Sequence, residues 1–195
     1  DCPYYEQMQY IMDTFLEIRY TLCISGDGRL ARKAINDFAQ AQIYDGLLPC
    51  NSPSKFQQII PGFPFYWILM LDTYMMYIGD RPFIQSHLGA VDKLLYFYAS
   101  RINGDGLLGD TGYWQFFDWV KEWNAGSPVK QGEINILYNM LYVYGLRTAA
   151  GLNRFCERPD TAAEYEARAE AVAAAVRTNA YDPESGLFSD APGRA

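Results

Sequence analysis

The sequence predicts an all-α fold, an (α/α) toroid of helical hairpins, and three observations carry that prediction. Apolar residues recur at helical spacing over long segments. Gly26-Asp27 and Gly79-Asp80 punctuate them, where glycine supplies a left-handed C-terminal cap and aspartate opens the next helix. A Gly-Leu turn follows each second helix: Asp45-Gly46-Leu47-Leu48, Asp105-Gly106-Leu107-Leu108 and Ser185-Gly186-Leu187-Phe188. A hairpin with a short extended return, repeated irregularly, is the physical reading of that pattern. A parallel sheet is disfavoured, because no Val/Ile-rich runs lie between the helices.

Each element can be justified in order. The first helix spans about 5–25 and stops at Gly26. The second runs from about 28 or 29 to 42, and the third from 63 to 78, closed by Gly79. The fourth follows Pro82 and runs to about 101. The fifth spans about 131–150 and ends at Gly151. The sixth starts at Asp160 or Thr161, where Thr161 and Glu164 match a capping box. Its stripe is Tyr165, Ala169, Val172 and Val176, spaced as one helix face. The linkers at 49–62 and 109–130 are long and carry aromatic and polar residues, which makes them candidate functional loops.

Composition narrows the function. The chain has 195 residues, half of them hydrophobic, enough for one domain with a sizeable core. Its 16 tyrosines, 11 phenylalanines and 4 tryptophans serve both to fill a core and to stack on sugar C–H faces. A net charge of −7 argues against nucleic-acid and anionic-membrane partners. No apolar run reaches the roughly 18–20 residues of a membrane span. Cys2, Cys23, Cys50 and Cys156 form no CxxC pair, and His87 is the single histidine, so no metal site or cofactor is expected. Two disulfides are possible on paper, although Cys23 reads as a small buried residue in an apolar helix. The compartment stays open between periplasm, exterior and cytoplasm.

The first thirteen residues concentrate the chemistry. Asp1 precedes a helix on which Glu6, Tyr10 and Asp13 fall at i, i+4 and i+7, one face. That set supplies a proton donor and carboxylates that grip hydroxyls, as sugar cleavage requires. A solvated acidic helix start is the alternative, with Asp13 pairing Arg19 or Lys33. Trp67, Trp114 and Trp119 are candidate stacking residues, and Asp118 sets an acid beside Trp119.

The string Asp-Cys-Pro-Tyr-Tyr-Glu-Gln at 1–7, with Asp13 seven residues after Glu6, resembles the signature of bacterial α-L-rhamnosidases. Segments Ile60-Pro61-Gly62-Phe63-Pro64-Phe65-Tyr66-Trp67 and Trp114-Gln115-Phe116-Phe117-Asp118-Trp119 resemble the same family in the same order. The resemblance covers most of residues 1–152. It implies a glycoside hydrolase that removes terminal α-L-rhamnose by an inverting acid/base mechanism. Glu6 would be the general acid, and Asp1 and Asp13 substrate-binding carboxylates. Tyr10 stands where relatives often carry a tryptophan. The family's toroid has six hairpins and about three are legible here, so residues 1–195 are expected to be half of a catalytic barrel, excised from a longer chain. The expected partners are a rhamnose-containing glycan and the remainder of the barrel. The family's catalytic base is a glutamate farther downstream. Glu122 and Glu133 lie in no segment resembling that motif, so the piece alone is expected to be inactive. Another exo-glycosidase on the same toroid, or a non-catalytic carbohydrate-binding helical domain, is the alternative.

Overall fold

The computed structural model describes residues 4, 5 and 7–193. Among these residues six helices run in order: α1 (Ile11–Ser25), α2 (Arg29–Gln40), α3 (Phe63–Ile78), α4 (Arg81–Ala99), α5 (Ile136–Phe155) and α6 (Pro159–Ala180). They pair as three hairpins. Helices α1, α3 and α5 pack side by side in one row, and α2, α4 and α6 lie against that row. The amphipathic stripe of α2, Ala31, Ala34, Ile35 and Phe38, turns its buried face to the row. Helix α3 sits mid-row between α1 and α5, and its sequence is accordingly apolar on most sides, with Phe65, Trp67, Ile68, Met70 and Leu71 in the core.

The short turns form as glycine and aspartate dictate. Gly26 (φ +66°) and Gly79 (φ +70°) adopt the left-handed conformation, their N–H groups donating to Leu22 and Met75 carbonyls at 2.9 Å. Asp80 caps α4 by accepting from Phe83 N at 3.1 Å. Asp27 lies one residue before the cap position of α2 and accepts from Arg29 N at 3.0 Å. The first two Gly-Leu turns are alike. Ile43 N donates to Leu47 O and Asn103 N to Leu107 O, both at 2.9 Å, and all four leucines are buried. The third is a two-residue antiparallel pair, β1 (Tyr181–Asp182) with β2 (Leu187–Phe188), and Leu187 and Phe188 are exposed.

Four expectations need correction. Helix α1 starts at Ile11, because residues 9–11 pair with 50–52: Ile11 N donates to Cys50 O (2.9 Å) and Ser52 N to Gln9 O (3.2 Å). Tyr10 is therefore extended (φ −110°, ψ 141°), and no helical face unites it with Asp13. Helix α5 is displaced to Ile136–Phe155. Asn135 caps its start through Leu137 N (3.0 Å), while Gly145 and Gly151 lie inside it. Gly145 has a packing reason: a Cβ there would meet Phe65 Cδ1 at 2.8 Å, so α3 and α5 approach through the missing methyl. The Thr161/Glu164 capping box does not form; α6 starts at Pro159, and Glu164 pairs with Arg168 at 2.6 Å. The start of α6 is instead tied to α4, where Asp92 accepts from Tyr165 Oη (2.5 Å) and Arg158 (3.0 Å). Cys23 is exposed rather than buried, its Sγ 2.9 Å from Tyr77 Oη; Cys23, Cys50 and Cys156 are free thiols.

Candidate active site

A cavity of about 430 Å³ opens where the long connections reach the row of helices. Its volume lies within the roughly 300–1,000 Å³ of small-molecule sites. Tyr10, Met12 and Asp13 reach it from the start of α1. Gln58, Ile60 and Phe63 reach it from the connection before α3 and that helix's first turn. The connection before α5 contributes Trp114, Phe116, Phe117, Asp118 and Trp119.

Each wall is pinned from behind. Tyr98 of α4 donates to Pro61 O at 2.6 Å, and Gln58 N donates to Asn51 Oδ1 at 3.3 Å. The aromatic wall is held by an amide network in which Gln115 and Asn135 are buried. Gln115 and Gln131 exchange reciprocal bonds (2.7 and 2.9 Å), and Asn135 Nδ2 donates to Gln115 Oε1 at 3.1 Å. The Tyr138 hydroxyl accepts from Phe116 N (2.8 Å) and donates to Phe116 O (3.1 Å), so one side chain of α5 satisfies both backbone groups of that residue. Gly126 (φ +82°) lies under Phe116, where a Cβ would come within 2.2 Å of the ring. Trp114 Nε1 donates to Ala125 O at 3.0 Å. Trp119 packs edge-on against Phe116, with centroids 4.8 Å apart, yet remains 76% exposed. An exposed indole braced by other rings is a surface prepared for stacking.

Asp13 and Asp118 are the carboxylates of the cavity among the described residues. Asp118 Oδ1 accepts from Trp119 N at 2.7 Å, which fixes the carboxylate beside the indole. Lys33, one of the two alternative partners for Asp13, binds Asp37. Acceptors beside aromatic faces suit a ligand that combines hydroxyls with C–H surfaces. Cys50, whose backbone bonds to Ile11 and Gln58, is fully buried, and burial pushes its thiol up to about 12, with the negative charge of Asp13 adding to the shift.

Four of the predicted site residues, Tyr10, Asp13, Asp118 and Trp119, therefore meet in one cavity, together with Trp114. Asp1 and Glu6 lie outside the described residues. Trp67 does not fit its expected role. It is 0% exposed, its Nε1 donates to Ile35 O at 3.0 Å, and it has no face left for a sugar. It lies one helical turn beyond Phe63 on nearly the same face of α3, packed in the core against Ile35 and His87, and is not among the residues that line the cavity Phe63 reaches. His87 is likewise a core residue, bonded to Phe83 O and Asn36 Oδ1. Gln58 is a cavity residue that no motif marks; its only sequence signal is its place in a long linker. Among the described residues no group of three His, Cys, Asp or Glu side chains gathers as a metal site, and no helix is long and apolar enough to cross a membrane.

Comparison with known proteins adds a family. The model of the bacterial alpha-L-rhamnosidase 6 hairpin glycosidase domain matches residues 1–192. No curated protein matches the sequence. Among solved structures, the GH78 family rhamnosidase of Bacillus sp. GL1 is similar with a TM-score of 0.88 and 25% identity, over 97% of this chain and 19% of that one. The Klebsiella oxytoca rhamnosidase, solved with rhamnose bound, is similar in fold (TM-score 0.82, 18% identity, 96% of this chain and 36% of that one). So is the alpha-L-rhamnosidase of Dictyoglumus thermophilum (TM-score 0.76, 17% identity, 97% and 22%). The chain thus spans between about a fifth and about a third of the length of these structures.

Proposed function

Because the chain belongs to the bacterial alpha-L-rhamnosidase 6 hairpin glycosidase domain family, we propose that its cavity binds a terminal α-L-rhamnosyl group and that the protein hydrolyses the glycosidic bond with inversion. The observation that carries this reading is the meeting of Asp13 and Asp118 with the Trp114, Phe116 and Trp119 wall in one cavity. Carboxylates accept the sugar's hydroxyl protons, and the indole covers a C–H face. Glu6 protonates the leaving oxygen as that bond breaks, while a base-activated water attacks the anomeric carbon from the other face. Asp1 and Asp13 hold the sugar's hydroxyls. Glu122 and Glu133 are not among the described residues that line the cavity, and on this reading the remainder of the barrel supplies the base.

The chain forms part of a larger catalytic barrel. Helix α1 exposes Leu16, Tyr20 and Ile24 along one stripe, and in a closed toroid a neighbouring helix covers such a face.

The test is Glu6→Gln in the intact protein, assayed on p-nitrophenyl α-L-rhamnoside. Loss of a general acid lowers the rate about 10²–10⁴-fold, with rhamnose binding and thermal unfolding retained. Residues 1–195 alone are expected to bind but not turn over. Wild-type rates from Glu6→Gln would remove the acid assignment, and turnover by residues 1–195 would place the base within them.

A further inference from the structure

Gln58 is held at three points. Its N–H donates to Asn51 Oδ1 (3.3 Å), its C=O accepts from Cys50 N (2.7 Å), and its Oε1 accepts from Cys50 Sγ (3.5 Å). The residue lines the cavity, and its Nε2 has no acceptor among the described residues. The orientation of the amide follows from its two sides. Toward the interior it meets a fully buried thiol that keeps its proton at neutral pH and serves best as a donor, so the amide oxygen turns inward. Toward the cavity stand Asp13 and Asp118, which when ionised only accept. A hydroxyl that donates a hydrogen bond to either carboxylate still has lone pairs to satisfy, so a cavity that accepts from a polyol also needs donors.

We propose that Gln58 is a substrate-binding residue, its Nε2 donating to a hydroxyl oxygen of the bound sugar, and that Cys50 is a positioning residue that holds the amide with its oxygen inward. The inference rests on the rhamnoside reading and extends it. Recognition is then two-sided: carboxylates take the sugar's O–H groups and the amide supplies N–H to its oxygens. A side chain that only fills space at position 58 loses this half.

The experiment measures L-rhamnose binding by calorimetry and hydrolysis of p-nitrophenyl α-L-rhamnoside, with the intact protein and four variants. Gln58→Leu is expected to weaken rhamnose binding about 10-fold, the value of one lost hydrogen bond near the upper end of the usual range. Gln58→Glu keeps the shape, replaces the donor by an acceptor beside two carboxylates, and is expected to weaken binding further. It also decides the matter should Gln58→Leu fail to fold, since thermal unfolding is recorded for each variant. Cys50→Ser restores a donor to the amide oxygen and is expected to bind as wild type; Cys50→Ala is expected to raise KM a few-fold with kcat little changed. A purely structural role for the thiol would weaken both cysteine variants alike. Unchanged binding in the Gln58 variants overturns the inference while the rhamnoside reading stands, and equal losses in Cys50→Ser and Cys50→Ala overturn the positioning role. Failure of the unsubstituted protein to bind rhamnose at all sinks the functional reading itself, and this inference with it.

Discussion

The two ends of the helix array are built differently. At one end each hairpin closes within residues 26–28, 79–80 or 156–158: glycine caps end α1 and α3, an aspartate caps α4, and backbone bonds from Cys156 and Arg158 to Leu152 and Asn153 close the third turn. At the other end the chain travels through residues 41–62 and 100–135 before re-entering the row. There its polar groups find partners far away in sequence, such as Phe116 with Tyr138, Leu108 with Asn139 and Tyr113 with Asp45. Local chemistry suffices where a helix merely reverses. A cavity needs walls brought from distant segments, and those walls need side chains of the helices to hold them.

The largest effect that would sharpen this contrast is expected from Gly126→Ala at the long-loop end. A Cβ at φ +82° adds backbone strain and strikes Phe116, so the aromatic wall must move. A loss of about 2–4 kcal/mol in stability from strain and overpacking together is expected, with weakened rhamnose binding, read by denaturant melts and calorimetry. Normal binding in that variant would mean that the wall does not depend on its support. A smaller effect is expected from Trp119→Ala. The side chain is mostly exposed, so unfolding should hardly change, whereas rhamnose affinity should fall about 5-fold, in line with stacking worth roughly a kcal/mol. A destabilised Trp119→Ala with unchanged affinity would make this indole a packing residue.

The smallest effect belongs to the short-turn end. The Phe83 N–H and then the Arg32 guanidinium hold the Asp80 carboxyl below its ordinary value. A depressed carboxyl contributes stability that is fully present above its unfolded value near pH 4 and is lost as pH falls through the lower folded value. Asp80→Asn keeps a capping oxygen and should flatten only that acidic limb, leaving rhamnose binding untouched. Altered binding would show that the two ends are coupled.

The same contrast explains what sequence reading reaches. Hairpin order, the Gly26 and Gly79 stops and the α6 stripe are legible because each is decided within one or two helical turns. Asp13, Tyr10, Asp118 and Trp119 are legible as candidates from residue type and motif, but the route that brings them together is not. Tyr10 arrives as extended chain paired with Asn51, a partner that helical periodicity does not reveal. Trp67 misleads because tryptophan reads the same in a wall and in a core, and only the donor bond to Ile35 O and its full burial decide between them. Gln58 is silent because an amide in a linker gains meaning only from the thiol and carboxylates around it.

Tyr138 has a consequence for how this site can change over time. Its hydroxyl holds Phe116 in the second long connection, and its ring occupies the space a side chain at Gly62 would need, 2.7 Å from the Cβ position. Two walls more than fifty residues apart in sequence therefore share a single hinge pin. Neither can be lengthened or redirected for a different ligand without the other adjusting to the same phenol. Diversification has more freedom at the rim, around Trp119, than at this joint, and the two connections would be inherited as one module.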